Sequence, residues 1–170
     1  VAWLAHSAVN IHIIPYLASE GISWGTAGLA VMAFALSNTS GRLVFGWLSD
    51  IWDRRYSFAC TAALNAVGVF ALSQAQILSQ FVLSSIVIGL GFGGMIPHRP
   101  ALQVSLFGNK AFGAIQGLLL VPVTLGGVIS PIFAGWVYDL TGSYRPAFSM
   151  LAIANLIAVP MVLMIMKPKA

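Results

Sequence analysis

The chain has 170 residues, of which 59% are hydrophobic and 7% are charged, and its formal net charge is +4. A soluble domain carries about 25% charged residues, so this composition excludes a soluble domain and indicates a surface that lies mostly in lipid. The basic residues stand at the ends of apolar runs and form no stripe, which excludes nucleic acid as the expected partner. The single cysteine, Cys60, excludes an intrachain disulfide and a cysteine-based metal site.

Six apolar runs are long enough to cross a bilayer, since a spanning helix needs about 20 mostly apolar residues. In chain order, the predicted helices cover residues 1–18, 24–48, 56–75, 79–96, 113–137 and 146–166. The fourth is predicted to end before Pro97 and Pro100, because proline does not continue a regular helix without a kink, and a loop is expected over 97–112. Such long runs do not fit strands of about five or six residues. The predicted fold class is an all-α membrane protein, a single domain of six transmembrane helices over residues 1–170.

The positions of lysine and arginine predict the orientation of these helices. Six of the eight basic residues fall on the side that holds both chain ends, namely Arg54, Arg55, Arg99, Lys110, Lys167 and Lys169. Arg145 stands alone on the opposite side. Because cytoplasmic loops carry the excess of Lys and Arg, both ends are predicted to be cytoplasmic, in a bacterial inner membrane or a plasma membrane. His98 and Arg99 are expected at the cytoplasmic mouth of the fourth helix, close to the interface.

The chain begins at Val1, inside an apolar stretch, with no initiator methionine and no charged signal-peptide segment. We therefore expect a fragment, or a chain that lacks an upstream half.

The segment from Gly41 to Arg55 joins the second and third predicted helices and reads GRLVFGWLSDIWDRR. It resembles the loop signature of the major facilitator superfamily, Gly-x-x-x-Asp-Arg/Lys-x-Gly-Arg/Lys-Arg/Lys. Four positions match that signature: Gly46, Asp50, Arg54 and Arg55. Ile51 replaces its first basic residue, and Asp53 replaces its glycine. The resemblance implies that the matching residues latch two halves of a transporter in the outward-open state. An ordinary charged loop that follows the positive-inside rule is the alternative.

Three further stretches, 12–23, 100–113 and 135–148, are similar to the second halves of monocarboxylate and oxalate:formate carriers, although these usually have Asp where Ser105 stands. The resemblance implies the C-terminal six-helix half of a twelve-helix transporter. Its expected partners are the missing N-terminal half, membrane lipid, a small organic anion such as a monocarboxylate, and a proton or a counter-substrate. Such carriers work by alternating access, as symporters or antiporters.

Arg42 is the leading candidate for the anion site, because an ionisable residue inside a span indicates function. It stands five residues before Trp47, roughly 8 Å inside the helix end at about 1.5 Å per residue. A guanidinium at mid-membrane costs about 2.5–3.5 kcal/mol, which a water-filled cavity and an anionic substrate would offset. Its planar fork matches a carboxylate, and an Arg at this position binds the carboxylate in the resembling carriers. Snorkelling of the side chain to the headgroups is the alternative.

Other polar residues in the spans complete the predicted substrate site. Asn38 is one turn from Arg42, where proton-coupled monocarboxylate carriers tend to have Asp, and an Asn cannot titrate. His6 and Asn10 share a face of the first helix; His6 could couple a proton, or both could serve packing. Gln116 is a candidate cavity residue in the fifth helix, which has no Lys to act as the second cation of a dicarboxylate site.

No residues in the sequence form a catalytic constellation, a phosphate-binding loop or a pair of metal ligands, so neither enzyme activity nor a cofactor is expected. Two other functions stay open. One is a carrier of drugs or sugars on the same fold, with Arg42 in a structural role. The other is a membrane protein that does not transport, such as a sensor or an inert half-carrier.

Overall fold

The computed structural model describes residues 2–164, without the side chains at positions 54, 105, 106 and 162. This part of the chain forms six α-helices: α1 Ala2–Ser19, α2 Trp24–Ile51, α3 Arg54–Gln74, α4 Leu78–Phe107, α5 Phe112–Thr141 and α6 Arg145–Leu163. By length and composition, four of the described helices could cross a membrane, and the stretch Arg145–Met161 is a shorter apolar helix. The predicted all-α fold with six helices is confirmed.

The prediction that the fourth helix ends at residue 96 is wrong, and so is the loop predicted over 97–112. Helix α4 continues through Pro97 and Pro100 to Phe107. Each proline removes one backbone hydrogen bond, a loss that a helix packed among other helices tolerates. The helix ends where Gly108 adopts a φ of 70°, a left-handed value that favours glycine. Gly142 ends α5 in the same way, with a φ of 70°.

Two short polar caps start helices α2 and α3. The Ser23 side chain accepts a hydrogen bond from the Thr26 backbone N–H at the start of α2. The Asp53 carboxylate accepts one from the Arg55 backbone N–H at the start of α3. Such caps satisfy backbone donors that have no partner inside the helix. The turns that precede these two helices are short, with four residues between α1 and α2 and two between α2 and α3.

The backbone of helix α4 lies in close contact with the backbones of α2 and α3. A Cβ atom added at Gly41 would lie 2.5 Å from the Leu90 carbonyl oxygen, and one at Gly89 would lie 2.6 Å from the Phe34 carbonyl oxygen. A Cβ at Gly91 would lie 2.5 Å from the backbone nitrogen of α3 residue Asn65. Small residues are what lets helices approach so closely.

Helices α3 and α6 share a buried polar contact in the middle of the bundle. The Asn155 Nδ2 donates to the Asn65 Oδ1 over 2.6 Å, and the Asn65 Nδ2 donates to the Ile88 carbonyl over 3.4 Å. Both asparagines are fully buried. Both polar atoms of the Asn65 side chain and the Asn155 Nδ2 are thereby hydrogen-bonded, while the buried Asn155 Oδ1 has no partner among the described residues.

One end of the bundle is closed by an ion pair and an aromatic cluster. Arg145 at the start of α6 bonds both carboxylate oxygens of Glu20 after α1, at 2.8 and 3.2 Å, and also reaches the Ala75 carbonyl at the end of α3. Beside it, Tyr144 stacks on Tyr138, with ring centroids 4.3 Å apart. These contacts hold α1, α3, α5 and α6 together at this end.

Candidate functional site

Arg42 and Asn38 lie one turn apart on α2 and are hydrogen-bonded to each other. The Arg42 Nε donates to the Asn38 Oδ1 over 3.1 Å. Asn38 is 7% exposed, and its backbone carbonyl lies against Gly93 of α4, so close packing of the two helices fixes its position. The bond draws the exposed Arg42 side chain back along the helix and orders it.

The rest of the Arg42 guanidinium has no protein anion to bind. Among the described residues, ion pairs join Arg55 to Asp53 and Arg145 to Glu20, and no carboxylate lies within ion-pair distance of Arg42. A guanidinium has five N–H donors, and only the Nε–H is engaged here. The four donors on Nη1 and Nη2 can therefore meet an external carboxylate in the bidentate arrangement that arginine favours.

His6 and Asn10 of α1 lie beside the same stretch of α2. The His6 ring stacks on Phe34 of α2, with centroids 5.3 Å apart, and on Phe92 of α4, with centroids 3.6 Å apart. Phe34 stands one turn before the amide that bonds Arg42, on the same side of the helix. His6, Asn10 and Phe34 also line a recess of about 10 Å³, with room for roughly one water molecule. Four of the five predicted substrate residues thus lie along one stretch of α1 and α2.

Gln116 lies apart from this group, in a cavity of about 690 Å³ between α1, α3, α4, α5 and α6. Arg42 does not line this cavity, whereas Arg99 does, and the Arg99 Nη2 donates to the Leu119 carbonyl over 3.3 Å. The Gln116 Oε1 is buried and has no hydrogen-bond partner in the described part of the chain. The predicted substrate role of Gln116 is therefore separate from that of Arg42.

The predicted latch residues lie where α2 turns into α3, a helix that Asp53 caps. Asp50 is exposed on the last turn of α2. Asp53 both caps α3 and pairs with the Arg55 guanidinium at 3.3 Å. No atom lies within 4 Å of a Cβ added at Gly46, so no other helix among the described residues approaches it closely. The Arg54 side chain lies outside the described part.

His98 is a buried residue whose environment the sequence did not reveal. It was expected close to the membrane interface, and the structure buries it fully between α3 and α4. Its Nδ1 lies 2.6 Å from the Gly94 carbonyl oxygen, and its Nε2 lies 2.6 Å from the Ser57 hydroxyl. A carbonyl only accepts, so Nδ1 carries the proton and Nε2 accepts from Ser57. The prolines on either side made this stretch look like a loop.

The chain matches one family model and is similar in sequence to several known proteins. The family model of the Major Facilitator Superfamily matches residues 1–170. Monocarboxylate transporter 12 of Mus musculus is 26% identical over 152 residues, which are 87% of this chain and 31% of that protein. Citrate exporter 1 of Yarrowia lipolytica is 30% identical over 136 residues, 79% of this chain and 19% of the exporter. Multidrug resistance protein fnx1 of Schizosaccharomyces pombe is 25% identical over 146 residues, 84% of this chain and 27% of that protein. The chain thus spans less than a third of the length of these relatives.

Proposed function

This chain belongs to the Major Facilitator Superfamily, and on that premise we propose that its parent protein is a secondary transporter of a small organic anion, a monocarboxylate. The chain would be the C-terminal six-helix half, one domain over residues 1–170. It would rock against an N-terminal half about a central site and so expose that site to each side of the membrane in turn. Both chain ends would be cytoplasmic, in a bacterial inner membrane or a plasma membrane.

The observation that carries the proposal is the exposed Arg42 guanidinium inside a candidate membrane span, with no protein carboxylate near it among the described residues. A cation inside a membrane span is energetically costly, so its presence there indicates a function. A carboxylate held by the Arg42 Nη groups would neutralise that charge. Asn38 would keep the guanidinium oriented through the 3.1 Å bond to Nε.

The nearby polar groups of α1 support a site that extends beyond Arg42. His6 and Asn10 would form its wall on the α1 side, about one turn along α2 from the Arg42–Asn38 pair. Asn38 has no proton to exchange near neutral pH, so the coupled species would be a counter-substrate, or a proton carried by another group of the full-length protein. Gln116 would contribute only if the anion also enters the larger cavity.

The printed names of two relatives support a carboxylate as substrate. One is a monocarboxylate transporter and the other a citrate exporter. These proteins differ in the number of carboxylates that their names imply. This chain has one cation, Arg42, in the group of four predicted residues, which favours a single carboxylate per bound anion.

The partner half would pack against α2 and α5. Only 28% of the apolar window of α2 and 11% of that of α5 is buried, against 56% for α3 and for α4. Trp47 on α2 and Trp136 on α5 are among the large exposed side chains. The predicted latch residues Asp50, at the end of α2, and Arg55, at the start of α3, would meet the partner half at the cytoplasmic end.

Uptake of a labelled monocarboxylate into vesicles that contain the full-length protein tests the site. Arg42→Ala is expected to lower uptake at least about tenfold, because a hydrogen bond to a charged group contributes about 1.5–3 kcal/mol and the site would lose its cation. Arg42→Lys keeps the charge but not the planar fork, and it should recover only a small part of the uptake.

Ser40→Ala is the matched control, because Ser40 is an exposed residue of the same helix whose hydroxyl bonds only the Leu36 carbonyl. It should leave uptake unchanged. Unaltered monocarboxylate uptake in both Arg42 variants, with normal protein levels, would show that the site assignment is wrong.

A second candidate function is export of drugs, which one relative favours by its printed name, a multidrug resistance protein. In that case Arg42 would have a structural role. A panel of cationic and neutral drugs in the same vesicles separates the two functions. Transport of drugs that carboxylates do not inhibit, and that survives Arg42→Ala, would favour the drug carrier.

A further inference from the structure

The large cavity between α1, α3, α4, α5 and α6 is lined mostly by apolar side chains and is not lined by Arg42. Its volume of about 690 Å³ lies within the range of about 300–1,000 Å³ that is usual for small-molecule sites. Trp3 of α1, Phe58 of α3 and Phe92 of α4 are among the lining residues. A cavity of this size and lining suits the hydrocarbon part of an organic molecule.

Three polar residues also line this cavity, and two of them have a side-chain oxygen without a partner. The Gln116 Oε1 and the Asn155 Oδ1 are buried and accept no hydrogen bond from any described residue. Asn155 is fully buried, and its Nδ2 already donates to Asn65. Because buried polar atoms are normally paired, these oxygens indicate an occupant that carries O–H or N–H donors.

Arg99, the third polar residue, gives the cavity a positive charge. It lies inside the candidate span Leu78–Val104 of α4, and its Nη2 donates to the Leu119 carbonyl of α5 over 3.3 Å. No carboxylate of the described residues lies within ion-pair distance of it, and this bond uses one of the five N–H donors of a guanidinium. Gln116 and Leu119 are three residues apart and share a face of α5. The positive charge and an unpaired oxygen are thus on the same wall.

We propose that this cavity binds an amphipathic carboxylate, a single hydrocarbon chain whose carboxylate end also carries an N–H or O–H donor. Arg99 binds the carboxylate, Gln116 accepts from the neighbouring donor, and the chain lies among the apolar side chains. This site is separate from that of Arg42, which does not line the cavity, so the inference does not rest on the proposed function.

Photolabelling of the full-length protein in phosphatidylcholine vesicles tests the site. The probe is N-dodecanoylglycine with a diazirine at the end of its chain, and peptide mass spectrometry locates the label, which we expect on residues that line the cavity. Unlabelled competitors are compared at equal concentrations in the membrane. N-dodecanoylglycine should compete at least about tenfold better than its methyl ester, which has no charge. It should compete about fivefold better than N-dodecanoylsarcosine, in which a methyl group replaces the N–H.

Arg99→Gln is the deciding variant, because glutamine keeps a polar side chain but has no charge. It should abolish the preference for the acid over the methyl ester. Lys110→Gln is the matched control, since Lys110 is an exposed cation in the turn after α4 that does not line the cavity. This variant should retain the preference. Labelling should also survive Arg42→Ala, because the two sites are separate.

Four results would overturn the inference. The first is label outside the cavity, and the second is equal competition by the acid, its ester and the sarcosine in the wild type, a measurement that needs no variant to fold. The third is loss of labelling in Arg42→Ala, which would make the cavity part of the transport site. The fourth is loss of labelling in vesicles that contain phosphatidylglycerol, which would assign the cavity to phospholipid headgroups. None of the first two results contradicts the proposed function, which uptake measures.

Discussion

Helices α2 and α4 meet backbone to backbone, whereas α1 and α5 meet through side chains. In the first pair, a Cβ added at Gly41 or Gly89 would lie within 2.6 Å of a carbonyl oxygen of the other helix. In the second pair, a Cβ at Gly126 would meet the tip of Leu4 at 2.6 Å, and one at Gly127 would meet Trp3 at 3.2 Å. A side-chain tip can move by rotation, but a helix backbone cannot move without its whole helix.

The two helix pairs therefore differ in how firmly they place functional groups. Asn38, which orients Arg42, belongs to the α2–α4 contact, and its carbonyl lies against Gly93. The α1–α5 contact instead includes Ser7, which donates to the Gly127 carbonyl over 2.7 Å. We expect the Arg42 site to depend on the first contact, while the second contact accommodates small changes. Substitutions in the two contacts test this difference.

The largest expected effect is that of Gly93→Ala. The added methyl group would collide with the Asn38 backbone of α2, where no side chain can give way. We expect the free energy of unfolding to fall by about 3 kcal/mol, the upper range for overpacking, and uptake to fall with it because Asn38 is displaced. The measurement is denaturant unfolding of the full-length protein in detergent. Gly117→Ala, with nothing within 4 Å of its Cβ, is the control and should be at least as stable as the wild type.

A smaller effect is expected for Ser7→Ala in the α1–α5 contact. The variant loses one side-chain hydrogen bond to the Gly127 carbonyl, so the free energy of unfolding should fall by about 1 kcal/mol. Uptake should stay near the wild-type level, because Arg42 and Asn38 lie in the other helix contact. A loss of stability as large as that of Gly93→Ala would remove the difference between the two contacts.

The smallest effect, and one of opposite sign, is expected for Gly135→Ala. Its Cβ would lie 3.8 Å from the His12 ring, an ordinary van der Waals distance. Alanine is favoured over glycine inside a helix by about 1 kcal/mol, so the variant should be as stable as the wild type or slightly more stable. Thermal unfolding in detergent measures this. A clear destabilisation would mean that α1 and α5 pack more tightly than the structure indicates.

Much of the architecture could be predicted from hydropathy, because a spanning helix needs a long apolar run whatever surrounds it. The fourth helix was the exception. The local effect of proline predicted that this helix ends before Pro97. In the packed bundle the helix continues to Phe107, and His98 is therefore buried. Proline chemistry acts on one hydrogen bond, while the end of a helix depends on all of its contacts.

The candidate site could be predicted only where its residues share a helix. Helical spacing placed Asn38 one turn from Arg42, and the 3.1 Å bond between them agrees with that spacing. Gln116 is on another helix, and spacing within α5 could not tell that it faces a cavity that Arg42 does not line. Asp53 likewise stands where the signature has glycine, and only its geometry shows that it caps α3.

The sequence by itself determined the number of helices, the family resemblance and the presence of a cation inside the second helix, because apolar run length, loop motifs and residue identity are properties of the chain read along its length. The tertiary structure decided which helices touch, which glycines face a backbone, and that His6 stacks on Phe34 and Phe92 next to the Arg42–Asn38 pair. Those contacts join residues far apart in the chain. They depend on how close two helices can come, which is set by the shapes of both surfaces and not by either segment alone.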